Sequence, residues 1–89
     1  MMTNKQIMEW IDERMQQRRV RDDYSDRAMT ALHIVQFEGG DLYEQKTTYT
    51  NEYRDECRTE VWINGALEHT EHLRSGFNDS GAWGWWAVA

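Results

Sequence analysis

Proline is absent from the 89 residues, and cysteine occurs once, at Cys57. A single cysteine excludes an internal disulfide framework and fits a reducing compartment. Long hydrophobic runs are also missing. The longest stretch dominated by apolar residues is Ala82 to Ala89, far short of the roughly 20 residues that a membrane-spanning helix needs. Met1 to Glu13 is polar and has no apolar export core. The expectation is a cytoplasmic protein with no membrane association. Repeats and low-complexity tracts are absent, and the length suits a single domain, 1–89.

Gly-rich phosphate loops are lacking too, because Gly39-Gly40 reads as a turn. Ser/His/Asp groupings with triad spacing and the HExxH pattern of zinc proteases do not occur. The sequence therefore predicts neither catalytic residues nor a cofactor. Two weak constellations remain. His69 and His72 could join Cys57 or His33 around a metal, although two surface histidines balancing carboxylates explain them as well, and no metal site is expected. Cys57 could sit opposite His72 as a nucleophile–base pair, but no orienting third residue can be named.

Charge is unevenly spread. The net charge is −6. Residues 1–21 carry five bases (Lys5, Arg14, Arg18, Arg19, Arg21) against three acids (Glu9, Asp12, Glu13), a net of +2, and residues 22–89 carry thirteen acids against five bases, a net of −8. Nucleic-acid affinity comes largely from neutralising phosphates, so direct nucleic-acid binding is not expected of the acidic body. A protein partner with a basic surface is.

Aromatic residues are plentiful: five Trp, four Tyr and two Phe. In a chain this short the core is thin, and a few rings of about 150–250 Å² each could supply much of it.

The elements expected from pattern are these. Thr3 or Asn4 caps a helix, Gln6 completes a capping box, and Ile7, Met8, Ile11 and Met15 recur at helical spacing, so a helix is predicted over about 4–19. Residues 20–27 read as a polar connection. The β-rich part, 28–89, starts with a strand to Phe37 whose two alternate sets are both largely apolar, which suggests cover on both faces; a helix starting near Ser25 competes. Leu42 to Thr50 is strand-like, and the polar stretch around Asn51 to Glu56 reads as a connection or an irregular strand edge. Asn64-Gly65 between Val61-Trp62-Ile63 and Ala66-Leu67 is a hairpin signal. A regular two-residue loop sets Trp62 opposite Leu67, Glu60 opposite His69 and Cys57 opposite His72; a helix over 66–74 competes. Residues 75–81 read as a loop, and Ala82 to Ala89 as a last strand. The fold class is α+β: an N-terminal helix packed on an antiparallel β-sheet of four or five strands.

Two surfaces are candidates for binding. Glu44, Glu52, Asp55, Glu56 and Glu60 would share one acidic face if the strands that carry them are neighbours; their solvation alone would also explain them. Trp85 and Trp86 point to opposite faces of the last strand, so one ring needs a second cover, which the core or another protein could provide. The leading expectation is a non-catalytic acidic protein-binding module, of the kind that phages and mobile elements use as inhibitors of host nucleic-acid-processing or defence machinery (anti-CRISPR or anti-restriction type). That comparison rests on size and charge. The second is a small homo-oligomer, such as a homodimer, built on the Trp-rich strand. A Cys/His metal- or thiol-dependent enzyme ranks third.

Overall fold

The computed structural model describes residues 1–14 and 29–88 in full and residues 18–25 as backbone. One helix, α1 (Asn4–Asp12), precedes six strands: β1 (Arg18–Ser25), β2 (Thr30–Phe37), β3 (Leu42–Tyr49), β4 (Glu56–Ile63), β5 (Ala66–Phe77) and β6 (Trp83–Ala87). The strands pair antiparallel in chain order, β1-β2-β3-β4-β5-β6. The α+β class, with a helix on an antiparallel sheet, is as expected from the sequence, and the sheet has one strand more than the upper expectation.

That strand is β1. The polar connection expected over 20–27 is strand up to Ser25, and 26–27 lie outside the described residues. The helix also stops earlier than 19. The N–H of Glu13 reaches Glu9, and that of Arg14 reaches Ile11 at 2.9 Å, a tightened last turn. The Arg14 guanidinium donates to the Trp10 carbonyl at 2.7 Å and to Asp41 at 2.9 Å, and lies 4.2 Å above the Trp10 ring. A cation here satisfies a terminal carbonyl and suits the helix dipole. Met15, placed on the helix face by spacing, lies outside the described residues. At the other end Thr3 forms the expected capping box with Gln6, through bonds of 2.8 and 3.2 Å.

The helix covers one end of one sheet face, here called the inner face. Ile7 packs with Val35, Phe37, Tyr43, Val61 and Ile63 in the buried cluster, with Met2, Trp10 and Ile11 against it. Trp10 meets Phe37 edge-on at 5.4 Å. β2 is paired on both sides, as a central strand should be, but only its inner residues Val35 and Phe37 are buried. Thr30, Leu32 and Ile34 are half-buried and Gln36 is exposed. The expected burial of both faces is thus corrected, since the single helix packs on the inner residues.

Asn64 (φ 51°) and Gly65 (φ 82°) make the hairpin turn between β4 and β5. Both positive angles match the primed turn that suits twisted strands. Asn64 also accepts the Leu42 N–H on its side-chain oxygen at 2.8 Å and donates to Asp41 at 3.0 Å. Arg14, Asp41 and Asn64 therefore tie the helix end to two turns.

Trp62 faces Leu67 as expected, but a bulge then shifts the register: Val61 pairs with His69, Glu60 with Thr70, Thr59 with Glu71, Arg58 with His72 and Cys57 with Leu73. The expected Glu60–His69 and Cys57–His72 pairs do not form. Glu68 is the extra residue, and its carbonyl accepts the N–H of Met2 at 2.9 Å. The bulge releases a backbone acceptor from the ladder and spends it on holding the N-terminus. The helix reading for 66–74 is excluded, because these residues lie in β5.

Candidate functional site

The bulge separates the one nucleophile–base pair the sequence offered. Cys57 lies on the inner face opposite Leu73 and is 4% exposed, whereas His72 sits opposite Arg58 on the outer face. Burial pushes the Cys57 thiol above its ordinary value; Thr59, hydrogen-bonded to it, pulls the other way. His72 instead bonds Glu56 at 2.6 Å. Among the described residues no three His, Cys, Asp or Glu side chains gather as metal ligands would. No helix there is long and apolar enough to cross a membrane.

The five acidic candidates fall into two groups. Glu44 and Glu60 are on the outer face, half-buried: Glu44 is opposite Trp62, and Glu60 is opposite Lys46. Glu52, Asp55 and Glu56 cluster at the β3–β4 connection. Glu52 and Asp55 are exposed, and Asn51 donates to Asp55 at 2.7 Å. Glu56 is half-buried, bonded to His72 and 3.5 Å from Arg74. The His72 bond, with the Arg74 charge in support, holds its carboxyl below the ordinary glutamate range. Glu56 is thus engaged within the sheet by His72 and Arg74, and the exposed acids of this connection are Glu52 and Asp55.

The tryptophan strand lies beside that connection. Ser75 of β5 donates its N–H to the Asp55 carbonyl at 2.8 Å and pairs on its other side with Trp85 of β6. Tyr49, the last residue of β3, is 6.5 Å from the Trp85 ring, and Arg54 lies 5.7 Å above Tyr49. Trp83 meets Phe77 edge-on at 5.1 Å. Phe77, Trp83 and Trp85 share the inner side of the sheet, beyond the buried cluster, and remain 72%, 66% and 44% exposed. Trp86 takes the outer side, 39% exposed, with its indole N–H on the Gly76 carbonyl at 2.9 Å. At about 150–250 Å² per ring, the three inner-side rings leave roughly 270–460 Å² of aromatic surface open, comparable to the biggest apolar patches of ordinary monomers, which are often functional. Tyr53, 81% exposed, stands between Glu52 and Arg54 in the neighbouring connection.

Phe77 was not legible as a site residue. Its setting SGFNDSG has loop composition, and the loop expected over 75–81 is corrected here: Ser75 to Phe77 belong to β5. The turn proper begins at Asn78, whose side-chain oxygen accepts from the N–H groups of Ser80 and Ala82 and from the Ser80 hydroxyl. The signal that could have found Phe77 is the alternation Leu73, Ser75, Phe77 facing Ala87, Trp85, Trp83.

β6 is also an edge. Asn78 donates to Ala82 at 3.0 Å, and Val88 donates to His72 at 2.9 Å. Antiparallel ladders alternate, so Ala82, Gly84, Trp86 and Val88 direct their backbone groups at β5. The N–H and C=O groups of Trp83, Trp85 and Ala87 point to the open side. Searches of protein-family models, of curated proteins and of solved structures find no match to this chain.

Proposed function

We propose that the chain is a non-catalytic, acidic protein-binding module whose partner presents a basic surface. The observation that carries this reading is the junction at Ser75, where the exposed Trp85 on one side and the acidic β3–β4 connection on the other adjoin the same residue. Exposed aromatic rings beside a charged, hydrated margin are the make-up of a binding hot spot: the rings supply affinity on desolvation, and the charges at the margin steer encounter. A net charge of −6 favours a basic counterpart. A phosphate-binding groove is one such surface, so inhibition of a nucleic-acid-processing or defence complex is the kind of function this surface suits. The separation of Cys57 from His72 supports a role without thiol catalysis.

The test is capture by the immobilised full-length chain from host lysate, run beside Trp85→Ala and an Asp55→Lys/Glu52→Lys variant, with bound proteins quantified by mass spectrometry. The reading expects a partner that the wild type retains and both variants lose. Capture that neither variant changes would refute it.

A further inference from the structure

Asparagine occurs at Asn4, Asn51, Asn64 and Asn78, and the residues that follow are Lys5, Glu52, Gly65 and Asp79. Gly65 alone of these four leaves its backbone nitrogen unshielded by a side chain. The space around it is open, since a Cβ built there would meet nothing within 4 Å, and both turn residues are exposed to water. The residue pair that the primed turn requires is therefore also the pair best suited to react with itself.

We infer that Asn64 is a self-modification site, whose deamidation the fold restrains and whose product undoes that restraint. The Gly65 backbone nitrogen attacks Cγ of Asn64. A new N–C bond forms, the Cγ–Nδ2 bond breaks, and the amide leaves as ammonia, taking up the proton that the Gly65 nitrogen gives away. The succinimide then adds water. Opening at Cγ leaves aspartate, and opening at the backbone carbonyl leaves isoaspartate, with the chain running through the former side chain. Nothing is oxidised or reduced, and water is the co-reactant. The site stands whether or not the Trp85 surface binds a partner.

The restraint is visible in the bonds of the turn. Asn64 donates its N–H to the Leu42 carbonyl at 2.9 Å, accepts the Leu42 N–H on Oδ1 at 2.8 Å and donates Nδ2 to Asp41 Oδ1 at 3.0 Å. These bonds hold the side-chain amide on the β3 side, whereas Gly65 leads the chain towards β5. Attack requires the side chain to leave both partners, so the reaction runs through molecules in which the turn has opened locally.

The consequence follows from the same bonds. Asp41 gives Oδ1 to Asn64 and Oδ2 to Arg14, which lies 2.9 Å away, so Asn64 links the hairpin turn to the residue that holds the end of α1. A carboxylate has no proton to donate. After conversion two carboxylates stand where a donor met an acceptor, and like charges at that distance repel. Isoaspartate also lengthens the backbone of a two-residue turn whose length sets the strand register. The modified chain thereby loses a tie between helix and sheet and gains a negative charge.

The test is peptide mapping by mass spectrometry of the full chain, aged in mildly alkaline buffer with and without denaturant. In denaturant Asn64 should convert faster than Asn4, Asn51 and Asn78. In native protein its rate should fall at least tenfold, and Asp41→Ala, shown folded by circular dichroism, should raise the native rate at least threefold. The product is read through Asn64→Asp. Its melting point should lie below that of the wild type at pH 7, and the deficit should shrink towards about pH 4, because one of two facing carboxylates then takes a proton. A native rate equal to the denatured one, or an Asn64 no faster in denaturant than the other asparagines, would overturn the inference. So would an Asn64→Asp that melts as wild type does, or one whose deficit is constant with pH. If Asp41→Ala does not fold, the wild-type rates and the Asn64→Asp melts decide.

Discussion

Trp85 and Asp55 adjoin Ser75 from opposite sides, one across the β5–β6 ladder and the other through its backbone carbonyl. That contact places the widest exposed aromatic group beside exposed acids, and it divides the acidic residues by role. Glu52 and Asp55 belong to this surface. Reversing Glu44 and Glu60, on the outer face, is expected to change partner affinity less than twofold, whereas reversing Glu52 and Asp55 should lower it at least tenfold. Titration of the four variants against the captured partner checks this.

The register is testable by cross-linking. Cys57 pairs with Leu73 and has its back to His72. Leu73→Cys should therefore form an internal disulfide with Cys57 under mild oxidation, because paired Cα atoms of a ladder fall within disulfide reach. His72→Cys should not. Mass spectrometry of alkylated protein reads the result, and the opposite outcome would mean that the bulge at Glu68 is absent. The wild-type thiol, buried and raised, should react with a thiol reagent much more slowly in native protein than in denaturant.

Asp41 makes stability depend on pH. Its bond from Arg14, and after it that from Asn64, lowers its carboxyl below the ordinary aspartate value. A depressed folded value means that the unfolded chain takes up a proton first on acidification. The contribution is present above about pH 4 and is lost as pH falls through the folded value. Glu56, lowered by His72 and Arg74, acts in the same direction. Denaturation midpoints measured from pH 7 down to pH 2.5 should therefore decline steeply at the acid end, and the double variant Asp41→Asn/Glu56→Gln should show a shallower decline from a lower starting point. Parallel curves for the two proteins would contradict this.

The hairpin turn and the helix dock set two stability expectations. Gly65 at φ 82° should cost about 1–2 kcal/mol when replaced by alanine, the penalty of a left-handed non-glycine residue; that is on the order of 4–16 °C in Tm for a chain of this size. Ile7, 4% exposed, should cost about 2–5 kcal/mol as Ile7→Ala, enough to consume much of a small domain's stability. Met8, 59% exposed on the same helix, should change it by less than about 0.5 kcal/mol as Met8→Ala. Thermal melts of the three variants decide.

Much of this architecture could be read from the chain. The capping box at Thr3 and Gln6, the Asn64-Gly65 turn and the final strand rest on short-range chemistry that a sequence displays directly. β1 escaped because RRVRDDYS resembles a solvated connection. Edge strands tolerate such charge, and what makes this one a strand is its ladder to β2, a non-local cause. The register of β5 escaped because a turn fixes pairing only until the first bulge. Glu68 bulges where its carbonyl can serve Met2, 66 positions away in sequence, and nothing local announces that. The proposed binding surface was legible in its tryptophans but not in Phe77 or Tyr49, which only the sheet order brings beside them.

The central claim is that the Trp85 surface and its acidic neighbour act together on a basic partner. The most direct measurement is the association and dissociation kinetics of the captured partner on the immobilised chain at low and high salt. The account predicts that affinity falls steeply with salt and that Glu52→Lys/Asp55→Lys mainly slows association, since exposed charges steer encounter and are screened. It predicts that Trp85→Ala, folded as wild type, mainly speeds dissociation. An affinity flat across salt, with the charge reversals silent and Trp85→Ala binding as wild type does, would contradict it.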